Sequence, residues 1–257
     1  MKRFLAVACL CLALGTVARG QTPAAKPAKP TAPAAAAAVP TVDQIINRYV
    51  EAEGGRAAWQ KLTSRETTGA IEVPSMSLSG TVEIHEKAPD RMLGVVTING
   101  ASFRQAFDGT VGWTDDPQDG LRELAGPELA ETRRDADFFH PLNLRKLYTK
   151  LTVTGKVKIG ERDAWVVEGA LPEGGEPDKM YFDAQTGLTL RVISQHHGPD
   201  GVTMYQEDFE DYREVDGVKL PFTVHQKNGD TEMTITLSEV HHNVDVDDAL
   251  FAKPAAQ

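Results

Sequence analysis

An alternation of apolar and polar side chains, which begins after Ser64, constrains the fold of this chain more than any other feature. Because neighbouring side chains of a strand point to opposite faces, a period of two residues predicts strands with one buried and one exposed face. The apolar members of four such runs are Val82 and Ile84; Trp165 and Val167; Leu188, Leu190 and Val192; and Met233, Ile235 and Leu237.

Turn dipeptides separate these runs at the spacing of hairpins. They are Asn99-Gly100, Asp108-Gly109, Asp216-Gly217 and Asn228-Gly229. Each suits a type I′ turn, in which both central residues need a positive φ. A longer turn that ends in a left-handed glycine is predicted at residues 183–187. With about eleven strand candidates, the pattern predicts a mainly β fold, in which one large curved antiparallel sheet forms an unclosed β-barrel.

Helical segments interrupt this β pattern. Thr41 suits an N-cap and Gln44 completes a capping box, so we expect an N-terminal helix. A shorter helical piece is predicted at residues 56–62. A helical insertion begins at Pro127 and runs to residue 150, and His140-Pro141 divides it into two pieces. We expect this insertion to lie over the open side of the sheet as a lid.

The N-terminus has the pattern of a secretory signal peptide. A basic pair, Lys2-Arg3, precedes an apolar run at residues 4–17, and the small residues before Gln21 predict cleavage after Gly20. An uncleaved anchor is the alternative, but the run is shorter than the roughly 20 residues that a spanning helix needs. The predicted organisation is therefore a signal peptide at 1–20, a Pro/Ala-rich linker at 21–40 and a single domain at 41–254.

Charge and cysteine content exclude several classes of function. The chain has 37 acidic against 27 basic residues, so it should repel the phosphates of nucleic acids and anionic membranes. Its two cysteines, Cys9 and Cys11, both lie in the apolar run of the signal peptide. The mature protein would therefore have no disulfide, no thiolate metal site and no cysteine nucleophile.

The motifs of the sequence favour a protein that is not an enzyme and has no cofactor or metal. No G-x-S-x-G sequence and no glycine-rich phosphate loop occurs. Neither His196-His197 nor His241-His242 could chelate one ion by itself, because the side chains of neighbouring residues in a strand point to opposite faces. The alternative is a metal site in which one histidine of each pair meets the other across strands. The acidic run at 207–211 could hold a catalytic carboxylate pair, but we interpret it as an exposed strand face.

Large side chains on alternating strands are candidates for an apolar ligand site. About eleven strands enclose more space than side chains easily fill, which favours a cavity over an ordinary core. The candidate ligand-binding residues are Phe103, Phe107, Trp113, Trp165, Val167, Met180 and Phe182. Of these, we expect Trp165 to face inward together with Val167.

Four segments of the sequence carry a family resemblance. These are the opening segment 49–55, residues 181–188, residues 211–221, and Leu250-Phe251 before Pro254. In these segments the sequence resembles the bacterial outer-membrane lipoprotein-sorting superfamily of LolA/LolB-like proteins. The resemblance covers about residues 41–254 and implies an unclosed β-barrel with a helical lid over an apolar cavity. In the carriers of that superfamily, the cavity shields the acyl chains of a lipoprotein crossing the periplasm.

The resemblance therefore implies an exported, periplasmic binder or carrier of lipid-like ligands. Its partners would be hydrophobic ligands or lipoprotein acyl chains, with other envelope proteins as further partners, and we expect a monomer. The alternatives are an envelope sensor or interaction module of the same fold, and an unrecognised hydrolase with a polar site inside the barrel.

Overall fold

The computed structural model describes residues 38–198 and 201–255. The predicted signal peptide and most of the predicted linker lie outside the described residues. The helices are α1 Val42–Ala52, α2 Arg56–Trp59, α3 Gly126–Asp135 and α4 His140–Leu147. The strands are β1 Ser64–Val73, β2 Leu78–Lys87, β3 Arg91–Ile98, β4 Ala101–Phe107, β5 Gly112–Asp116, β6 Gly120–Glu123, β7 Lys150–Ile159, β8 Arg162–Ala170, β9 Asp178–Asp183, β10 Thr189–Gly198, β11 Gly201–Val215, β12 Val218–Asn228 and β13 Thr231–His242.

All thirteen described strands form one sheet, in the order β6-β5-β4-β3-β2-β1-β13-β12-β11-β10-β9-β8-β7. Every neighbouring pair is antiparallel. The predicted mainly β class and the antiparallel sheet are confirmed, whereas the count of about eleven strands is wrong. Strands as short as β5 and β6, with five and four residues, carry too little alternation to be recognised in the sequence.

The sheet is not closed, because β6 and β7 are its two edges and do not pair with each other. The chain between these edges is the helical insertion, α3 and α4. Helix α3 contacts β4 and β5 on one side and β10 on the other. Since six strands separate β4 from β10 in the sheet, the sheet must curve around this helix. The insertion therefore lies over the sheet as predicted, and α4 begins at His140, where the division was expected.

Type I′ turns occur at two of the four predicted dipeptides. Both central residues have positive φ at Asn99-Gly100 (53° and 80°) and at Asp216-Gly217 (52° and 85°). Each dipeptide joins two strands that pair directly, β3 with β4 and β11 with β12. The prediction is confirmed at these two positions.

The other two dipeptides form different turns. At Asp108 the carboxylate accepts hydrogen bonds from the backbone N–H groups of Thr110 and Val111, which closes a longer turn. At the last hairpin the two central residues are Gly229 and Asp230, because Asn228 pairs with Thr231 inside the ladder. A glycine at the first central position is the arrangement of a type II′ turn. The type I′ prediction is therefore wrong at both dipeptides.

Helix α1 supplies the apolar surface that meets the sheet. The capping box of Thr41 and Gln44 is present as predicted, with the Thr41 hydroxyl accepting from the Gln44 N–H at 3.2 Å. One face of the helix is buried in the main core, together with side chains of α2, α4 and strands β8, β9 and β12. The buried residues of this face are Ile45, Ile46, Tyr49 and Val50.

A second, smaller core lies at the other side of the sheet. It joins β3, β4 and β5 to the C-terminal segment, and its members include Trp113 and Phe251. The indole Nε1–H of Trp113 donates to the Phe251 carbonyl at 2.8 Å, which fixes the chain end against the strands. Within the two described ranges, no helix combines the length and the apolar character that crossing a membrane requires.

Candidate ligand-binding cavity

A cavity of about 310 Å³ lies between the helices and the main core side of the sheet. Helices α1, α2 and α4 and strands β9 to β12 all contribute to its wall. Aromatic and aliphatic side chains make up much of this wall: Trp59, Phe138, Leu144, Met180, Phe182 and Leu220. A space of this size and lining is within the range of small-molecule sites.

A second cavity, of about 360 Å³, adjoins the first. Its lining is more polar and comes mainly from α3, β10 and β11. The residues that line both cavities are Asp135, His140, Met180, Val192 and Phe209. The two spaces therefore form an apolar end and a polar end of one region under the helices, with Asp135 where they meet.

A β-bulge determines which side chains of β10 reach the cavities. The pairing of β10 with β9 shifts between Thr189 and Arg191, so the strict alternation of the strand is lost there. Thr189 and Val192 both line the first cavity as a result, whereas Leu188 and Leu190 are buried elsewhere. The predicted common face of Leu188, Leu190 and Val192 is therefore wrong, because the bulge changes the face within this run.

Glu53 places a carboxyl group at the apolar end of this region. It follows the buried face of α1, is only 6% exposed and lines the first cavity. Burial raises the pKa of Glu53 to about 8, and this outweighs the Tyr49 hydroxyl and the Arg65 guanidinium, which both lower it. No described Lys, Arg or His forms an ion pair with this carboxylate, since Arg65 is bound to Glu86 at 2.5 and 2.7 Å.

Asp135, the last residue of α3, points into both cavities. Asp135 is exposed to solvent, and it lies among the side chains that line the cavities. Partial loss of hydration among the surrounding protein groups raises the pKa of Asp135 to about 7, and the nearby charges of Glu131 and Glu207 add to this effect. Arg134 and His196 lower the pKa of Asp135 without pairing with it. The side chain forms no hydrogen bond with the residues that the structure describes.

Glu131 connects the lid to the sheet at the polar end. One carboxylate oxygen contacts Nδ1 of His196 at 2.5 Å, and the other accepts from the backbone N–H of His197 at 3.0 Å. Hydrogen bonding to Glu131 raises the pKa of His196. Both residues of this histidine pair therefore contact the same carboxylate. The alternation of the strand does not predict this shared contact, because His197 makes it mainly through its backbone N–H. Among the residues with described placement, no group of three or more His, Cys, Asp or Glu side chains is arranged to hold a metal ion.

Comparisons with known proteins identify the fold. No family model matches the sequence, and no curated protein matches it either. Three solved structures share the architecture at low identity. A DUF1329 family protein from Desulfovibrio piger has a TM-score of 0.55 and 14% identity, over 83% of this chain and 98% of the other. A LolA superfamily protein from Nitrosomonas europaea has a TM-score of 0.55 and 12% identity, over 84% and 99% of the two chains.

The third structure is a domain assigned to an outer membrane lipoprotein-sorting protein from Vibrio parahaemolyticus, with a TM-score of 0.52 and 15% identity over 82% of this chain and 95% of the other. The chain has the LolA-like fold. The resemblance expected from the sequence is thereby confirmed for the fold.

Within this LolA-like fold, the seven predicted ligand-binding residues separate into two groups. Met180 and Phe182 line the first cavity, and Val167 is fully buried in the same core. Trp165 shares the face of Val167 and lies with Phe182 at a smaller cavity of about 120 Å³ beside α1. The other three do not line these cavities. Trp113 is buried in the second core on the other side of the sheet, whereas Phe107 is buried on the face toward α3, where the Arg133 guanidinium lies over its ring at 5.6 Å. Phe103 is 42% exposed.

The carboxyl groups of the LolA-like cavity were missed by the sequence reasoning. Glu207 was expected on an exposed face, but it lines the second cavity and burial raises its pKa, so that expectation is wrong for this residue. Its alternation with Tyr205 and Phe209 was the available signal. Glu53 similarly continues the spacing of the apolar stripe of α1, and Asp135 lies on the same helical face as Glu131.

Proposed function

We propose that this protein is a periplasmic binder or carrier of lipid-like ligands, which it holds in the cavity under α1, α2 and α4. The observation that carries the proposal is the apolar end of that cavity, formed by Trp59, Leu144, Phe182 and their neighbours. Burial of about eight methylene groups there would contribute about 6 kcal/mol to binding. No charged contact is needed for an affinity of that order.

The LolA-like fold supports this proposal. One matched structure is described as lipoprotein-sorting, and a cavity in the same architecture suits acyl chains or other hydrophobic molecules. The signal-peptide pattern before residue 21 supports export to the periplasm. We propose a binding role without a catalytic step, in which the lid formed by α3 and α4 covers the ligand.

A cavity-filling substitution tests the proposal. The neutral fluorescent probe N-phenyl-1-naphthylamine should bind the wild type with increased emission. Val192→Trp places a larger side chain at the junction of both cavities, where Val192 is half-buried, and should abolish this signal. Overpacking typically costs about 1–3 kcal/mol of stability, so the variant should remain folded.

Val157→Trp is the matched control, because Val157 lies on the edge strand β7, is 42% exposed and lines none of these cavities. It should bind the probe as the wild type does. If the wild type gives no signal, or if both variants lose it equally, the cavity does not take apolar ligands. The interaction-module alternative would then be the better account.

A further inference from the structure

The region under the helices contains more carboxylates than cations. Seven acidic side chains line the two cavities. They come from the C-cap of α1, from β2, α3, the α3–α4 connection, β9 and β11, and they are Glu53, Glu86, Glu131, Asp135, Asp137, Asp178 and Glu207. The basic or titratable nitrogen side chains that face them are Arg65, Arg134, His140 and His196. The polar end therefore has a negative potential when these acids are ionised.

The few cations are already engaged. Arg65 forms a two-point ion pair with Glu86, and His196 contacts Glu131. Arg134 pairs with Glu173, which lines neither cavity. Burial lowers the pKa of His140, so this imidazole is neutral at neutral pH. No described cation is left to pair with the remaining acids.

The unpaired acids include one that is almost fully buried. Glu53 is 6% exposed and opens onto the first cavity without an ion-pair partner among the described residues. Asp135 is exposed, lines both cavities and has no ion-pair partner among the described residues. Within the part of the chain that the structure describes, Glu207 accepts a side-chain hydrogen bond only from the amide of Gln226. Burying a carboxylate without a cation is unfavourable, so a bound cation would relieve that cost.

We propose that the ligand is an amphiphile with a positively charged nitrogen headgroup, a primary amine or ammonium, which lies at Asp135 while its apolar tail lies toward Trp59 and Phe182. This inference rests on the proposed function and specifies its ligand class. Asp135 is the natural position for the headgroup because it lies where the apolar and polar ends meet. An alkylammonium offers three N–H donors, which suit a group of carboxylate acceptors.

The same arrangement disfavours other headgroups. A carboxylate or phosphate headgroup would meet Asp135 and Glu207 with like charge. A neutral alcohol would gain only the binding free energy that comes from burial of its apolar tail. Selectivity among ligands with one tail and different headgroups is therefore the direct consequence of the excess of carboxylates.

Displacement of N-phenyl-1-naphthylamine from the full chain at pH 7 measures this selectivity. Decylamine, decanol and decanoate share one tail length and carry a positive, a neutral and a negative headgroup. Decylamine should displace the probe at a concentration about tenfold lower than decanol, as expected for hydrogen bonds to charged groups, and decanoate should be the weakest.

Substitutions assign the selectivity to the cavity. Asp135→Asn and Glu207→Gln should each reduce the preference for decylamine over decanol while leaving decanol displacement unchanged. Glu210→Gln is the matched control, because Glu210 belongs to the same strand but is exposed and lines neither cavity. Its preference should equal that of the wild type.

The two proposals fail in different ways. Equal displacement by all three compounds, or strongest displacement by decanoate, overturns the cationic ligand class and leaves the proposed function standing. A preference for decylamine that survives both cavity substitutions also overturns the inference, because the selectivity would then arise elsewhere. If the probe itself does not bind, the proposed function fails and the inference fails with it.

Discussion

Glu53→Gln should stabilise the protein at neutral pH, although it replaces the buried C-cap residue of α1. The folded pKa of Glu53 is about 8, whereas its ordinary value is 4.5. The folded state therefore holds more protons than the unfolded state between these two pH values. Under that condition the free energy of unfolding falls as the pH rises. Glutamine has nearly the same shape as glutamate and does not ionise. The variant should therefore not lose stability through this position as the pH rises.

The magnitude follows from the two pKa values. One unit of difference between the folded and unfolded pKa corresponds to about 1.4 kcal/mol. Between pH 4.5 and pH 7, the wild type should lose about 3 kcal/mol of stability through Glu53. Other titrating groups are common to both proteins, so the difference between them isolates this carboxyl.

Urea unfolding followed by tryptophan fluorescence, at pH 4.5, 6 and 7, measures the effect. Glu51→Gln is the matched control, because Glu51 is exposed on the same helix. The advantage of Glu53→Gln over the wild type should grow with pH, and that of Glu51→Gln should not. Parallel pH profiles for the wild type and Glu53→Gln would refute the conclusion that Glu53 is buried without a cation.

Three further substitutions have distinct expected outcomes. Trp165→Ala should lower the free energy of unfolding, measured by thermal unfolding, by about 2 kcal/mol, which is less than the loss for a fully buried tryptophan. The variant should bind N-phenyl-1-naphthylamine as the wild type does. An altered affinity for the probe would show that this side chain reaches the ligand. His196→Asn removes the contact between His196 and Glu131. That contact stabilises the folded state below the ordinary pKa of histidine, and the stabilisation is lost as the pH rises through the raised pKa of His196. Urea unfolding should therefore show a larger loss for His196→Asn at pH 5.5 than at pH 8.5, and an equal loss at both would count against the contact. Gly54→Ala should destabilise the protein by about 2 kcal/mol or more in urea unfolding, because the φ of Gly54 is 110° and a Cβ would lie 2.1 Å from the Gly217 carbonyl oxygen; wild-type stability would contradict this packing.

Local signals in the sequence predicted the frame of the molecule. The capping box of Thr41 starts α1, the dipeptides Asn99-Gly100 and Asp216-Gly217 form the expected turns, and His140 begins the second lid helix. Each depends on a few neighbouring residues whose backbone preferences are strong. The resemblance to LolA-like proteins then predicted how the elements assemble.

The interior of the cavity was less predictable, because it depends on contacts between distant parts of the chain. The bulge at Thr189 changes the face of β10 without a glycine or proline to mark it. The cavity-lining acids Glu53, Asp135 and Glu207 have the polarity of surface residues, and polarity led to the wrong expectation for Glu207. Only the position of α3 between β4 and β10 brings Asp135 and Glu207 to one region.

Native mass spectrometry of the protein purified from its own cell envelope tests directly whether the cavity under the helices binds a lipid-like ligand. We expect the wild type to retain a small-molecule adduct with the mass of a lipid-like compound, which organic solvent removes. Val192→Trp, purified in the same way, should be folded and free of the adduct. A wild type that carries no adduct, or a Val192→Trp variant that carries the same adduct, would contradict the claim that the cavity under the helices binds lipid-like ligands.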